Sequence, residues 1–266
     1  MRPVTAATAA QIEVRAVRKE WRTRDHPVPA LESVSLDIAP QEFLTVLGPS
    51  GCGKSTLLSI IGGLTTPDSG EVRIDGRPVT GPDPRQMAMV FQDPGLFPWR
   101  TALENVEFGL ELQGMPAAPR RERARALLEP VGLRGFERRY PRELSGGMKQ
   151  RVAIARALAL EAPILLMDEP FGALDEQTRL LMGEWLLGIW ARTRKTVVFV
   201  THSLQEAILL SERIVVMTAR PGRIKASFDV AVPAPRDLDS PTAATLRHAL
   251  WDAIRDESRR ALDGGA

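Results

Sequence analysis

The sequence predicts an α/β fold with a mainly parallel sheet, and three observations support this prediction. Residues 164–167 and 197–200 are short, continuous apolar runs, as in strands that are buried on both faces of a parallel sheet. Runs with helical spacing alternate with these strands in the C-terminal part of the chain. A glycine-rich run at residues 48–56 lies between a strand-like run, residues 43–47, and a helix-like run, residues 56–64.

The glycine-rich run fits the phosphate-binding pattern G-x-x-x-x-G-K-[ST] at every defined position. Its glycines let successive amides turn toward a phosphate, and the helix that follows adds the positive end of its dipole. Lys54 would reach the β- and γ-phosphates, and Ser55 would ligate Mg²⁺. A glycine-rich turn before a core helix is the alternative, but it does not require Lys and Ser at these offsets. The predicted loop consists of Gly48, Pro49, Ser50, Gly51, Cys52, Gly53, Lys54, Ser55 and Thr56.

Strand and helix patterns continue along the rest of the chain. Residues 12–17 and 31–38 alternate as strands do, and a polar turn at residues 22–30 separates them. Residues 101–161 are rich in Ala, Leu, Arg and Glu at helical spacing, which predicts a helical insert. The predicted organisation has three parts: a flexible tail at residues 1–10, a main domain at residues 11–228 and an extension at residues 229–266. The main domain includes a helical subdomain at about residues 93–161. The extension ends in an amphipathic helix that carries Leu246, Leu250 and Ile254.

Composition limits the class of function. The chain has 44% hydrophobic and 26% charged residues, as ordinary globular proteins do. Its net charge is +2 and its arginine clusters alternate with acids, so no basic stripe indicates binding to nucleic acid. The single cysteine, Cys52, rules out an internal disulfide, is interpreted as a small filler residue, and suits a reducing cytosol. No apolar run reaches the length of about eighteen residues that a membrane span needs.

Polar residues follow the predicted strands at the sheet edge where ligands bind. The strand at residues 164–167 leads into Asp168, which suits Mg²⁺, and Glu169, which suits a general base that polarises the attacking water. An acidic turn after a strand is the alternative. Gln92 and His202 each follow another apolar run. A single histidine is often structural, but its place after a buried strand favours a functional role.

A further motif lies at residues 144–150 and reads Leu-Ser-Gly-Gly-Met-Lys-Gln. Ser145 can cap a helix that runs from about Met148 to Leu160. Gly146 and Gly147 would expose amides at the start of that helix, which suits a phosphate. A simple helix cap is the alternative interpretation of this motif alone.

Together these motifs resemble those of the ATP-binding cassette family, and they occur in the family's order over roughly residues 11–228. The resemblance implies a P-loop NTPase core of the RecA type, with a mainly parallel sheet, an N-terminal antiparallel β subdomain and an α-helical insert that carries the signature. Two mild departures are Met148, where Gln is commonest, and Gly172, where Ser is frequent. At position 148 neither Met nor Gln is needed for the backbone amides that face a phosphate.

The resemblance also implies that two copies pack head to tail around ATP. Each ATP would lie between the phosphate-binding loop of one copy and the signature residues of the other. The implied signature contacts are Ser145, Gly146 and Gly147. Asp175, in the run Gly-Ala-Leu-Asp, would tie the two subunits together.

Roles at the nucleotide follow from the same resemblance. Trp21 stands where the family places an aromatic ring that stacks on adenine, although a core or surface tryptophan remains the alternative. Gln92 would sense the γ-phosphate and Mg²⁺. His202 would hold the γ-phosphate and the attacking water. The implied Mg²⁺ ligands are Ser55, Gln92 and Asp168.

Three short segments of the sequence are similar to those of the ATPases of nitrate, sulfonate and taurine importers. They are residues 90–99, 201–207 and 219–224. In this family the segment from Gln92 to Trp99 borders a groove that receives a coupling helix of a membrane permease, although local packing is the alternative. The resemblance thus implies a peripheral subunit on the cytoplasmic face of the inner membrane. Its partners would be an integral membrane permease, a periplasmic or external solute-binding protein acting indirectly, and no nucleic acid.

Other classes of function remain as alternatives. Cassette ATPases of ribosomes or DNA repair usually carry two cassettes or a long coiled-coil insert, and this sequence has neither. A small-molecule kinase or GTPase would not need the signature or His202, and a non-catalytic regulator would not need Glu169. For the solute, nitrate, alkanesulfonate and taurine come first by resemblance, and pyrimidine or aromatic compounds stay open.

Overall fold

The computed structural model describes residues 11–22, 26–233 and 235–263, so the predicted tail at residues 1–10 lies outside the described residues. Within these residues the strands are β1 (Ile12–Arg22), β2 (Pro27–Ile38), β3 (Phe43–Leu47), β4 (Ser69–Ile74), β5 (Arg77–Pro78), β6 (Met87–Val90), β7 (Ile164–Asp168), β8 (Thr196–Thr201), β9 (Arg213–Met217) and β10 (Ile224–Asp229). The α-helices are α1 (Lys54–Ile61), α2 (Ala102–Leu112), α3 (Ala117–Leu128), α4 (Gly146–Ala159), α5 (Glu176–Thr193), α6 (Leu204–Leu210) and α7 (Pro241–Asp263).

The chain folds into two compact units. The first unit is formed by the described parts of Ala9–Asp83 and Arg194–Ala266. The second unit comprises Pro84–Thr193. The predicted α/β class is confirmed, since β3 is parallel to β8 and to β9, β6 is parallel to β7, and the N-terminal strands form a separate antiparallel sheet.

The antiparallel sheet of the first unit has the order β2-β1-β4-β5. The turn predicted at residues 22–30 overlaps the strands, because β1 continues to Arg22 and pairs with Pro27 at the start of β2. Pro27 and Pro29 are tolerated in β2 because it is an edge strand. On the outer side of such a strand a proline nitrogen, which has no hydrogen, interrupts no hydrogen bond between strands. The two-residue strand β5 was not predicted, since it is too short to show a pattern.

In the first unit β3 lies between β8 and β9, and all five residues of β3 are buried. The helix after β3 starts and ends earlier than predicted. Gly53 caps it with φ of 100°, so α1 begins at Lys54 rather than Thr56. Gly63, with φ of 69°, stops it before the predicted end at Leu64.

Helix α7 packs on the same apolar core as β9 and α6. Leu250 and Ile254 of α7 are buried together with Ile214 and Val216 of β9, and Leu246 packs partly against them. These residues lie on one face of α7 because they are spaced four apart. Helix α7 is therefore an integral part of the first unit.

The second unit holds the helical insert, in which α2, α3 and α4 pack on one another. Thr101 and Glu104 form a capping box that starts α2. Helices α2 and α4 approach closely because Gly109 has no side chain; a Cβ there would lie 2.4 Å from Leu160 Cδ2. The insert thus supports α4, whose first turn carries the signature motif.

Candidate functional site

The phosphate-binding loop connects β3 to α1 in the first unit. Gly51 has φ of 75° and Gly53 has φ of 100°, which is the left-handed region that favours glycine. Gly53 is the N-cap of α1 and makes no side-chain cap, so no capping side chain pairs with the amides at the positive end of the helix. A Cβ on Gly48 would lie 2.8 Å from Cys52 Sγ. The buried Cys52 therefore fills the space beneath the loop, as expected of a small filler residue.

Lys54 holds the loop in an arch. It is only 4% exposed, and its ammonium group donates to the carbonyls of Gly48 and Pro49 at 2.9 Å each. The side chain thus runs back along the inside of the loop. Lys54 places a positive charge at the centre of the residues predicted to bind phosphate, and Ser50, Ser55 and Thr56 complete that run.

Trp21, at the end of β1, reaches the first turn of α1. Its indole Nε1 lies 3.5 Å from Thr56 Oγ1. Lys19 Nζ lies 5.1 Å from the centre of the Trp21 ring and is itself held by Asp68 at 2.9 Å. The ring remains 44% exposed. The structure thus brings Trp21 next to Thr56 of the predicted loop, and its stacking on adenine stays a prediction.

His202 lies at the same edge of the sheet as the phosphate-binding loop. Strands β3 and β8 are parallel neighbours, and Leu47 pairs with Thr201, so both strands end at one level. The loop starts directly after Leu47, and His202 directly after Thr201. Thr201 accepts a hydrogen bond from the Ser203 amide at 3.0 Å, and Ser203 caps α6. The turn that carries the exposed His202 is therefore fixed on both sides.

One contact of the loop was missed by the sequence analysis. Arg220 Nε, in the turn between β9 and β10, donates to Gly51 O at 3.2 Å. A Cβ on Gly222 would lie 2.2 Å from Cys52 O, so the turn lies directly against the loop. Gly222 after Pro221 indicated a turn, but no local pattern could indicate what the turn touches.

Asp168, Glu169 and Gln92 come together in the second unit. Strands β6 and β7 are parallel, and Val90 pairs with Met167, so both strands end at one edge. Asp168 is the buried last residue of β7, Glu169 is half-buried, and Gln92 is exposed two residues after β6. The structure therefore groups the three polar residues that the sequence selected from these strands.

Glu169 has a strained backbone. Its φ is 44°, in the left-handed region that non-glycine residues rarely occupy. The Gly172 amide donates to Glu169 O at 3.1 Å and closes the turn after β7. Such strain persists where the surroundings fix it, and it is frequent at functional sites.

The signature motif starts α4 in the second unit. Ser145 caps the helix by accepting from the Met148 amide at 3.3 Å. Gly146 and Gly147 form the first turn, so the helix begins two residues before the predicted start at Met148. A Cβ on Gly147 would lie 3.0 Å from Leu174 Cδ2, which explains the need for a small residue. Ser145 and Gly146 are exposed and accessible to a partner.

Asp175 starts α5. Its carboxylate accepts from the Thr178 amide at 2.9 Å and from the Thr178 hydroxyl at 2.7 Å. These two hydrogen bonds, with a smaller effect of Arg151, hold the pKa of Asp175 below its ordinary value. The carboxylate is therefore charged, exposed and fixed in orientation, which suits a contact with a second subunit.

The segment from Gln92 to Trp99 is held from beneath. Arg156 of α4 donates to Pro94 O at 2.7 Å and to Gly95 O at 2.8 Å, and burial lowers its pKa. Phe97 packs on Phe108 with ring centres 4.5 Å apart, so local packing accounts for Phe97. Trp99 is 71% exposed, and its ring centre lies 5.7 Å from that of Phe97. The segment thus presents one large apolar side chain to solvent.

Across residues 11–22, 26–233 and 235–263, no three side chains of His, Cys, Asp or Glu converge as a metal-binding group. None of the helices in the same ranges combines the length and apolar character that crossing a membrane demands.

Comparisons with known proteins agree with the motifs. The family model described as "ABC transporter" matches residues 31–172. The chain is 49% identical to an uncharacterized ABC transporter ATP-binding protein of Methanocaldococcus jannaschii, over 95% of this chain and 94% of that protein. It is 45% identical to the nitrate import ATP-binding protein of Synechocystis, over 89% and 88% of the two chains. It is 44% identical to the taurine import ATP-binding protein of Roseobacter denitrificans, over 94% and 92%.

A solved structure gives the same result for the fold. It is the dimeric structure of a post-hydrolysis state of the ATP-binding cassette MJ0796 bound to ADP and Pi. The match has a TM-score of 0.77 at 38% identity, and it covers 82% of this chain and 98% of that chain. The chain therefore belongs to the ABC transporter family and is one of its ATP-binding cassette ATPases.

Proposed function

We propose that this ATPase is the energy-supplying subunit of a bacterial importer for a small solute, namely nitrate, an alkanesulfonate or taurine. The observation that carries the proposal is the exposed Trp99 at the end of the Arg156-held segment, in a chain whose relatives include nitrate and taurine import subunits. The indole is largely accessible to solvent and so is available for contact with a partner.

The phosphate-binding loop suits a nucleotide, because Gly51 and Gly53 are left-handed and Lys54 lies within its arch. We assign Lys54 and the loop amides to the phosphates, and Trp21 to the adenine. Ser55, Gln92 and Asp168 would hold Mg²⁺, which commonly takes few protein ligands and completes its shell with phosphates and water. When bound, Mg²⁺ would neutralise charge on the phosphates.

Glu169 and His202 would act on the attacking water. Glu169 comes directly after β7, and its carboxylate would accept the water's proton, which would make the oxygen a stronger nucleophile. His202 would donate a hydrogen bond to the γ-phosphate and orient the water. The fixed turns around both residues keep these groups from having to reorganise during the reaction.

A head-to-tail dimer would complete the site. Ser145, Gly146 and Gly147 of one copy would add a hydroxyl and amides to the γ-phosphate on the other, and Asp175 would fix the contact. The relative of known structure is described as dimeric, which supports this assembly. ATP then favours the closed dimer because donors from both copies contact it, and hydrolysis removes that preference.

Closure would be passed to a membrane permease through the segment from Gln92 to Trp99. Gln92 would respond to the nucleotide, and Trp99, seven residues later, would contact a coupling helix of the permease. The subunit would then lie at the cytoplasmic face of the inner membrane as a peripheral protein. A periplasmic or external solute-binding protein would deliver the solute to the permease, and nucleic acid has no part in this cycle.

The solute class is tested by growth of a deletion strain on defined media. One medium offers nitrate as the sole nitrogen source, and the other offers taurine or an alkanesulfonate as the sole sulfur source. We expect a defect on one medium that the wild-type gene restores and the Glu169→Gln variant does not. Normal growth on every medium would remove the proposed solutes and would turn the search to pyrimidine or aromatic compounds.

The permease contact is tested by the Trp99→Ala variant. We expect solute-dependent growth or uptake to fall by about tenfold or more, because a central exposed indole often dominates an interface. ATP hydrolysis by the purified chain should remain, since Trp99 has no proposed role in binding or cleaving the phosphates. Trp251→Ala, which removes a 50% exposed tryptophan from α7, is the matched control. Equal uptake in both variants would rule out the proposed surface.

A cassette ATPase without a transport role is the second candidate. It would function on ribosomes or in DNA repair and would have no membrane partner. Purification in mild detergent separates the two candidates, because the importer subunit is expected to co-purify with an integral membrane protein. That co-purification should weaken in the Trp99→Ala variant and persist in the Trp251→Ala variant.

A further inference from the structure

Helix α7 reaches toward the phosphate-binding loop through one buried carboxylate. Glu257 is 2% exposed and lies on the same face of α7 as Leu250 and Ile254. Its Oε2 accepts from the Ala219 amide at 2.9 Å, and its Oε1 accepts from Lys225 Nζ at 2.7 Å. Both carboxylate oxygens therefore have a donor from the region of β9 and β10.

Glu257 is held as a charged group. Burial on its own would raise the pKa of Glu257, but the hydrogen bonds from Lys225 and from the Ala219 amide outweigh it and lower the pKa. A buried carboxylate that loses a donor is left with an unpaired charge, which is unfavourable. The position of Ala219 relative to α7 is thus fixed more firmly than apolar packing alone would fix it.

The turn that contains Ala219 is itself rigid. The Thr218 amide donates to Arg223 O at 2.9 Å, and the Thr218 hydroxyl donates to Pro221 O at 3.0 Å. The Arg223 amide in turn donates to the Thr218 hydroxyl at 3.0 Å. A shift of Ala219 would therefore move the whole turn at residues 218–223 and would not be absorbed within it.

The far side of this turn touches the phosphate-binding loop. Arg220 Nε donates to Gly51 O, and Gly222 approaches Cys52 O so closely that a Cβ would lie 2.2 Å from it. The Gly222 amide also donates to Ala30 O at 2.9 Å. A cavity of about 500 Å³ lies beside these contacts, and Ser50, Gly51, Arg220 and Glu257 are among the residues that line it. One side of the turn therefore faces the loop and the other faces α7.

We propose that Glu257 is a positioning residue for the phosphate-binding loop, so that the C-terminal helix sets the affinity for nucleotide. The path runs from Glu257 to the amide of Ala219, through the rigid turn, and from Arg220 to Gly51. The proposal rests on the loop as the binding site for ATP. It does not depend on a permease, a solute or the dimer.

The first test uses the full chain with Glu257→Gln, which keeps the shape of the side chain but turns one acceptor into a donor. We expect the dissociation constant of a fluorescent ADP analogue to rise about threefold to tenfold, the range for loss of one hydrogen bond. The KM for ATP should rise with it, while kcat changes by less than about twofold. Asp256→Asn, the exposed neighbouring carboxylate on α7, is the matched control and should leave both values unchanged.

A raised KM with a nearly unchanged kcat distinguishes a positioning role from simple loss of structure. A less stable protein would show a lower melting temperature and a smaller active fraction, but its KM for ATP would stay at the wild-type value. Arg220→Met tests the other end of the path from an exposed position. It should weaken nucleotide binding by a similar factor. The double variant should bind nucleotide no more weakly than the single variant with the larger loss of affinity, because both changes interrupt one path.

Two results would overturn the proposal. One is an unchanged affinity in folded Glu257→Gln under conditions in which Lys54→Ala loses binding. The other is a double variant in which the two effects multiply, since that means two independent paths. If Lys54→Ala itself leaves the affinity unchanged, the failure belongs to the assignment of the loop. The two failures are therefore distinguishable in one set of titrations.

Discussion

Glu169→Gln is expected to reduce ATP turnover by about two to four orders of magnitude, the usual contribution of a general base. Glutamine has nearly the same shape, but its amide cannot accept the proton of the attacking water. ATP should still bind, so the variant should accumulate as an ATP-stabilised dimer. The dimer would be detected by size-exclusion chromatography with Mg·ATP, and turnover by phosphate release.

The chain offers a matched control for this variant. Glu161 is also a glutamate of the second unit with a positive φ, 54°, but it is exposed and forms an ion pair with Arg123. Glu161→Gln therefore repeats the chemical change and the backbone cost at a place without a predicted role. It should keep full turnover. A monomer of Glu169→Gln at saturating Mg·ATP, or wild-type turnover, would contradict the assignment of the base.

Lys54→Ala is expected to weaken nucleotide binding by roughly a hundredfold, which corresponds to about 3 kcal/mol for hydrogen bonds made by a charged donor. The lysine is predicted to contact the β- and γ-phosphates, so ATP should be affected more than AMP. Equilibrium titration with a fluorescent ATP analogue measures the loss.

Since Lys54 also donates to Gly48 O and Pro49 O, thermal melting should accompany the Lys54→Ala titration. A folded variant with weak binding supports the direct role in phosphate binding. Lys195→Ala, just before the start of β8 and so at the opposite end of that strand from His202, serves as the control. Unchanged ATP binding by Lys54→Ala would refute the phosphate-loop assignment.

Much of the fold could be predicted because the deciding signals are local. The apolar runs at residues 164–167 and 197–200 have no polar face, as expected of strands buried on both sides, and β7 and β8 lie there. The loop at residues 48–56 is recognisable because glycine, lysine and serine must occur at fixed offsets. The start of α1 was placed too late because its cap is the backbone of Gly53, which leaves no side-chain signal.

The grouping of candidate site residues could also be predicted, because parallel strands end at one edge. Gln92 follows β6, Asp168 ends β7, and Glu169 comes directly after it, while His202 follows β8, the neighbour of β3. Asp175 was selected for a contact between subunits, whereas its hydrogen bonds to Thr178 show that it also starts α5. The spacing of Asp and Thr before a helical run could have indicated that cap.

The contacts around α7 could not be predicted from local patterns. Arg220 and Gly51 are 169 residues apart in the sequence, and only the tertiary fold brings them together. One signal was available for Glu257. It lies three residues after Ile254 on the apolar stripe of α7, and a carboxylate on such a stripe needs a buried partner. The sequence could therefore have marked Glu257 as unusual, but it could not have named Ala219 or Lys225.

The backbone of Glu169 has a consequence for how this protein changes under selection. A residue with φ of 44° is unfavourable for every side chain except glycine and, to a lesser degree, asparagine and aspartate. Replacement by glycine would relieve that strain and remove the carboxylate at the same time. With Glu169 as the proposed base, selection for heat resistance alone would favour inactive proteins at this position. On this proposal the glutamate is maintained only while hydrolysis itself is under selection, so its loss in a descendant would mark the end of catalysis before any sign of instability.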